Sequence, residues 1–344
     1  MKLNRNLAIV ALLLLAASIW AYRSSLGPTD RFERGQRLLP NLNPDDVAEI
    51  SIAKGDDTVT LTRGDDGFTV ADVHDYPATN QSVNRVLRTL AELELEKRVG
   101  TGDDLYRELG LTADAEDMVE VALKRTNGDD MVRLRIGRPF EGGSGSYLRR
   151  IDGDGGPAYL STKQVTLSTD PDTYLDKEIV QIDRDDIDRI EGPDFVVVRG
   201  DDGLELEGVP RGRKENASAM NRLKNTLGSL RFDQVFLADD DTVRDLRLQP
   251  VLDVRLTDGS GYRLALAERG DEHFLQIAGY HTVDRVSVDR DESETELEDK
   301  AAILSRADEI NRFNRFHGSW VYRINKGTAE VLGFRKADLV EDAG

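Results

Sequence analysis

The chain has 344 residues, 39% hydrophobic and 32% charged, with a net charge of -19; this suits two domains with their own cores and leaves little room for long disorder outside the tails. Such an excess of negative charge argues against nucleic-acid binding through a basic surface. The lack of cysteine removes disulfides, thiolate metal sites and a cysteine nucleophile, and is compatible with the periplasm.

The first element in chain order is apolar. Leu7 to Tyr22 carries no charge and lies between Lys2 and Arg5 on one side and Arg23 on the other. Sixteen residues at ~1.5 Å each span roughly 24 Å as a helix, slightly short of a ~30 Å hydrocarbon core. Ala16 and Ser18 would suit a cleavage site, but Trp20 and Tyr22 sit where an interfacial aromatic belt belongs. The expectation is an uncleaved signal anchor over residues 1–23, a single transmembrane helix of the inner membrane. The bulk of the chain is then periplasmic, since the positive charges lie on the leading segment. Residues 24–40, with Gly27 and Pro28, read as a tether.

Beyond the tether, patterns recur. Asp45 to Ile52 is an alternating stretch that Asp185 to Gly192 resembles 140 positions later. Thr58 to Val70 has the alternation of a hairpin around Arg63-Gly64-Asp65-Asp66-Gly67, and Asp194 to Gly208 repeats it around the same five residues at Arg199 to Gly203. Glycine and aspartate suit a tight turn there, which is preferred over an adhesive Arg-Gly-Asp ligand. Val83, Val86, Leu90 and Leu93 follow helical periodicity, as do Met220, Leu223, Leu227 and Leu230. Asp104 to Leu111 is answered by Asp241 to Leu248, and the alternating segments Val119 to Arg125 and Leu252 to Asp258 run into the turns Asn127-Gly128 and Asp258-Gly259.

These matches predict an α+β fold: two tandem copies of a module of antiparallel hairpins with one long amphipathic helix, over 41–183 and 184–290. Residues 291–344 are expected to add a helix over Leu297 to Phe313, a strand over Phe316 to Ile324 and a tail. Asp289 to Lys300 reads as a solvated linker.

Chemistry is harder to place. His74, His273, His281 and His317 form no ligand spacing, with His273 and His281 expected on either side of a turn. Ser144 and Ser146 do not sit in a nucleophile elbow, and no phosphate-binding glycine loop follows a strand. Asp152 and Asp154 resemble half a calcium loop, but Lys163 stands where a bidentate glutamate belongs. The sequon at Asn216 opens a helix and reads as coincidence. No catalytic residue, metal or cofactor is expected. The one cluster suited to a partner surface is Phe313, Phe316, Trp320 and Tyr322, interleaved with Arg312, Arg315 and Arg323; a core role is the bland alternative.

The order of a single span, an opening strand with Val47, Ile50 and Ile52, a hairpin closing on Asp66-Gly67-Phe68, a helix with Leu90 and Leu93, and Tyr106 with Leu109-Gly110-Leu111 resembles a bacterial family. That family comprises membrane-anchored extracytoplasmic domains of unknown function encoded beside ABC-type transport systems related to gliding-motility components. Pro171 to Asp183 resembles its link into a second half, and the likeness runs from about residue 40 to 330, with Arg247 departing from the glycine of the first copy. The resemblance implies a non-enzymatic accessory or scaffold subunit working with an ABC permease and ATPase. A ligand-binding module for envelope glycans or peptides, or a hydrolase, is the alternative.

Overall fold

The computed structural model describes residues 34–151, 156–201, 203–282 and 293–343. The expected anchor at Leu7 to Tyr22 and the carboxylates Asp152 and Asp154 lie outside the described residues. The chain divides into two units, Met1–Asp176 and Lys177–Gly344.

In the first unit the strands are β1 (Glu49–Lys54), β2 (Asp57–Gly64), β3 (Gly67–Val70), β4 (Tyr76–Pro77), β5 (Leu95–Gly100), β6 (Val119–Lys124), β7 (Asp130–Pro139), β8 (Ser146–Arg150) and β9 (Ala158–Ser161). They form one nine-stranded sheet in the order β4-β3-β2-β1-β6-β7-β8-β9-β5, with antiparallel pairings throughout. Alternation sets its faces: Ile50, Ile52, Val59, Leu61, Val121, Leu123 and Leu134 are fully buried. Helix α1 (Asn80–Ala91) covers the core with Val83, Val86, Leu87 and Leu90, and Thr79 caps it by accepting a hydrogen bond from the Ser82 N–H. Helix α2 (Asp103–Glu108) ends on Gly110, at φ +70°, where the Leu111 N–H donates back to the Tyr106 carbonyl at 2.8 Å. This is a left-handed helix stop that glycine adopts without strain. Residues 34–40, expected as tether, belong to this unit: Gly35 and Leu38 donate to the carbonyls of Leu95 and Leu93, and Leu38 and Leu39 are buried.

In the second unit the strands are β10 (Glu178–Val180), β11 (Ile187–Glu191), β12 (Val196–Gly200), β13 (Gly203–Leu206), β14 (Arg213–Glu215), β15 (Leu230–Arg231), β16 (Gln234–Leu237), β17 (Gln249–Leu256), β18 (Ser260–Arg269), β19 (Glu272–His281), β20 (Trp320–Ile324) and β21 (Val340–Asp342). The main sheet has eight strands in the order β13-β12-β11-β17-β18-β19-β20-β16, and the pairs β10-β15 and β14-β21 lie apart from it. Its helices are α3 (Ala217–Gly228), α4 (Glu294–His317) and α5 (Lys326–Leu332). Asn216, the sequon asparagine, is the cap of α3 and accepts from the Ala219 N–H at 3.1 Å.

The expected α+β pair of modules, each with one long helix, is corrected by this architecture, which is mostly antiparallel β-sheet. The apolar stripes at Val83 and Met220 sustain helices of only 12 residues, about three turns. Short strands such as β5 and β16, whose burial does not alternate, carry no period-2 signal and so go unseen in the sequence. Asp104 to Leu111 is largely helical, whereas Asp241 to Leu248 contains no helix; Arg247 cannot supply the left-handed stop that Gly110 does. The unit boundary also falls before residue 183, because Glu178–Val180 pairs with Leu230–Arg231. From the C-terminal segment, β20 is inserted between β19 and β16.

The recurring Arg-Gly-Asp-Asp-Gly does more than turn. In each hairpin its two glycines face each other, Gly64 with Gly67 and Gly200 with Gly203. In each unit the arginine reaches back to the short 3-10 turn just ahead of the strand that pairs with its hairpin, β1 or β11. Arg63 donates to the carbonyls of Val47 at 2.8 Å and Pro44 at 3.1 Å. Arg199 donates to those of Asp185 at 2.7 Å, Arg184 at 3.1 Å and Ile187. A guanidinium thus adds charge-assisted hydrogen bonds to the carbonyls at a strand entry.

Candidate functional site

The aromatic cluster is built where α4 gives way to β20. The β19-β20 ladder pairs only His273, Phe274 and Leu275 with Ile324, Arg323 and Tyr322. Beyond it, the peptide of Gly279 is clamped by the Asn314 carboxamide, which donates to its carbonyl at 2.8 Å and accepts from its N–H at 2.7 Å. Helix α4 therefore replaces a ladder partner, and its last turns deliver Phe313, Phe316 and His317 onto the sheet.

His317 is buried, and its Nδ1 lies 2.6 Å from the Tyr322 hydroxyl. Phe313 lies 4.0 Å and Phe316 4.8 Å from its ring, centroid to centroid. Burial pushes the imidazole down to about 4, so it is neutral near pH 7. The structure does bring Phe313, Phe316, Trp320 and Tyr322 together, but not on one exposed face. Trp320 and Tyr322 are buried in β20, with Tyr322 packed on Phe232 at 5.3 Å. Of the four, only Phe313 and Phe316 remain half-buried.

The other histidines are scattered. His74 occupies a left-handed turn with Asp75. His273 and His281 lie not across a turn but at the two ends of the single strand β19, roughly 26 Å apart at ~3.3 Å per residue. His273 Nδ1 is 3.5 Å from a Glu268 carboxylate oxygen. Among the described residues no group of three or more His, Cys, Asp or Glu is placed to hold a metal ion. Ser146 is buried, and its hydroxyl accepts from the Val165 N–H at 3.1 Å, a structural use.

A concave site that the sequence reading passed over lies on the face of the second sheet opposite Leu252, Leu264 and Ile277. It is a groove of about 500 Å³ crossing β17, β18 and β19, with Glu191, Gly192 and Pro193 as one wall. Its floor is small and apolar, formed by Val251, Ala265 and Ala278 with Pro250. The β17-β18 register slips between Pro250 and Leu252, so Val251 is bulged. Proline donates no ladder hydrogen bond, and a bulge re-aims the side chain it carries.

At one end Asp253 accepts from the Tyr280 hydroxyl and, at 3.1 Å, from Arg263 Nε, while the Arg263 guanidinium lies 4.6 Å from the Tyr280 ring centroid. Burial, reinforced by the hydrogen bond to Asp253, pushes the Tyr280 phenol up to about 12. The Glu191 carboxylate accepts from Arg189 at 2.6 Å. Each carboxylate at the groove thus has a cation beside it. The signal in sequence was parity: Ala265 and Ala278 alternate with Leu264 and Ile277, which are core.

The first sheet carries a charged cluster on β6 and β7. Glu120 lies between Arg133 at 2.7 Å and Arg135 at 3.0 Å. Burial alone would raise its carboxyl, but the two arginine hydrogen bonds outweigh this and hold it below the usual carboxylate range.

These features define a two-unit, mostly antiparallel β protein, one of whose sheets carries an open groove. Residues 69–251, more than half of the chain, match the family described as "Domain of unknown function (DUF4340)". The chain belongs to that family. No curated protein and no solved structure matches it.

Proposed function

We propose that this protein is a non-catalytic accessory or scaffold subunit of an ABC-type transport system, anchored in the inner membrane with its two β units on the periplasmic side. The observation that carries the reading is the uncharged run from Leu7 to Tyr22, with Lys2 and Arg5 before it and Arg23 after it. The sequence resemblance to membrane-anchored domains encoded beside ABC systems supplies the class of partner. The half-buried Phe313 and Phe316, flanked by exposed Arg312 and Arg315, form a small surface of the composition that interfaces favour.

Crosslinking of the intact protein in membranes, followed by pull-down, is expected to enrich a permease and an ATPase subunit. Recovery of the protein with neither subunit overturns the transport reading. Digestion of the β units by protease added to spheroplasts is the result expected for the periplasmic placement, and protection overturns that placement.

A further inference from the structure

The groove over β17, β18 and β19 breaks the usual rule for a solvent-facing sheet surface, which alternates polar side chains against a buried face. Three of its floor residues, Val251, Ala265 and Ala278, are apolar and small, so the surface is hollow rather than bulging. Its volume falls within the ~300–1,000 Å³ of small-ligand sites.

Charge decides what fits. Asp253 is answered by Arg263 and Tyr280, and Glu191 by Arg189, so a charged ligand laid on the floor would find no uncompensated opposite charge while losing its water. One polar group remains open. The carboxamide of Gln276, half-buried in the floor and directly opposite Ala265 in the ladder, makes no hydrogen bond to a described residue. A carboxamide offers both donors and an acceptor, which is the complement of the N–H and C=O that one residue of an extended chain presents on the same side. This unit already uses that pairing internally, where Asn314 accepts from the N–H and donates to the C=O of Gly279.

We propose that the groove is a binding site for a short, uncharged, aliphatic peptide segment, its side chains on Val251, Ala265 and Ala278 and the N–H and C=O of one residue paired with Gln276. This inference is independent of the transport reading, because it needs neither the anchor nor a permease.

The test is a titration of the full chain in phosphatidylcholine nanodiscs, labelled at alanine and valine methyls, with acetyl-Val-Ala-Leu-methylamide. Saturable shifts at Val251, Ala265 and Ala278 are expected. Gln276→Ala should weaken binding by about tenfold, the effect of one buried hydrogen-bonding group. Ala265→Arg, at a half-exposed position, should abolish the shifts by filling the hollow, and unchanged methyl resonances elsewhere confirm that each variant is folded. Shifts that fail to saturate, that persist in Ala265→Arg, or that are absent from the native protein overturn the proposal. So does equal affinity for acetyl-Val-Lys-Leu-methylamide or for octanoate, since either would make charge irrelevant or the occupant an acyl chain. Val251 shifts that follow protein concentration without added peptide would mean that a second copy covers the groove, which also overturns it.

Discussion

Acidification tests the buried imidazole most directly. His317 is held neutral by burial, with its pKa lowered from 6.5 to about 4. The unfolded chain binds the proton from about pH 6.5 downward, whereas the folded chain resists until about 4. Between those values the unfolded state therefore carries more protons, so stability falls as pH falls. At about 1.36 kcal/mol per pH unit of difference, the second unit should lose roughly 2 kcal/mol from this group by pH 5 and about 3 by pH 4. Urea unfolding followed by Trp320 fluorescence would measure it, because Trp320 is buried beside Phe316 at 6.2 Å. Other acid effects cancel if the native chain is compared with His317→Gln at pH 7.5 and pH 5. The stability advantage of the native chain should shrink by about 2 kcal/mol between the two. An advantage that stays constant to within about 0.3 kcal/mol would mean that His317 titrates alike in both states, and the account of its burial would be wrong.

The arginines of the recurring pentapeptide should matter more than their position on hairpins suggests. Arg63→Ala and Arg199→Ala each remove charged donors from two or three backbone carbonyls, and should cost about 1–3 kcal/mol in urea unfolding. Arg63→Lys should recover only part of this, since Arg63 reaches its two carbonyls from two nitrogens, Nε and Nη2, which a single ammonium does not reproduce; full recovery would refute the role. Gly137→Ala should destabilise the first unit by at least about 2 kcal/mol, because a Cβ there would sit 2.3 Å from the Leu109 carbonyl oxygen. A neutral result in thermal unfolding would show that the approach of α2 to β7 is not tight.

The alternating segments were legible because their period reports burial on one face. The second half of the Asp45 to Ile52 stretch, from Glu49, became part of β1, and Val119 to Lys124 became β6, with Ile50, Ile52, Val121 and Leu123 fully buried as the pattern implies. The helical stripes were legible as helices but not in length, because Leu93 and Leu230, which extend each stripe, are buried just beyond the helix. A buried residue after a helix keeps the apolar rhythm without keeping the helix. His317 was invisible as a core residue because nothing in Phe316-His317-Gly318 announces that Tyr322 returns to it. That contact depends on the turn between α4 and β20, and single-sequence periodicity does not report tertiary returns.

The groove was unreadable for a different reason: it is made of what is missing. Single apolar residues on a protein surface are ordinary, and Ala265 or Ala278 alone would carry no argument. In the ladder, however, Ala265 faces both Pro250 and Gln276, and Ala278 faces Arg263, so the small residues collect on adjoining strands. Alanine is a poor strand former and proline donates no ladder hydrogen bond. The second sheet thus accepts weaker local strand preference across its centre. Nothing in the core requires this, since Leu252, Leu264 and Ile277 bury equally well whatever stands on the opposite face. A local rule broken on adjoining strands, with no gain to packing, is where function is expected to have chosen the residues. Replacing Ala265 and Ala278 by threonine, a better strand former, separates the two accounts. If the alanines serve only the fold, the double variant should lose stability and bind acetyl-Val-Ala-Leu-methylamide unchanged. If they are there for the hollow, stability should hold or rise by a few tenths of a kcal/mol per site while the peptide affinity falls.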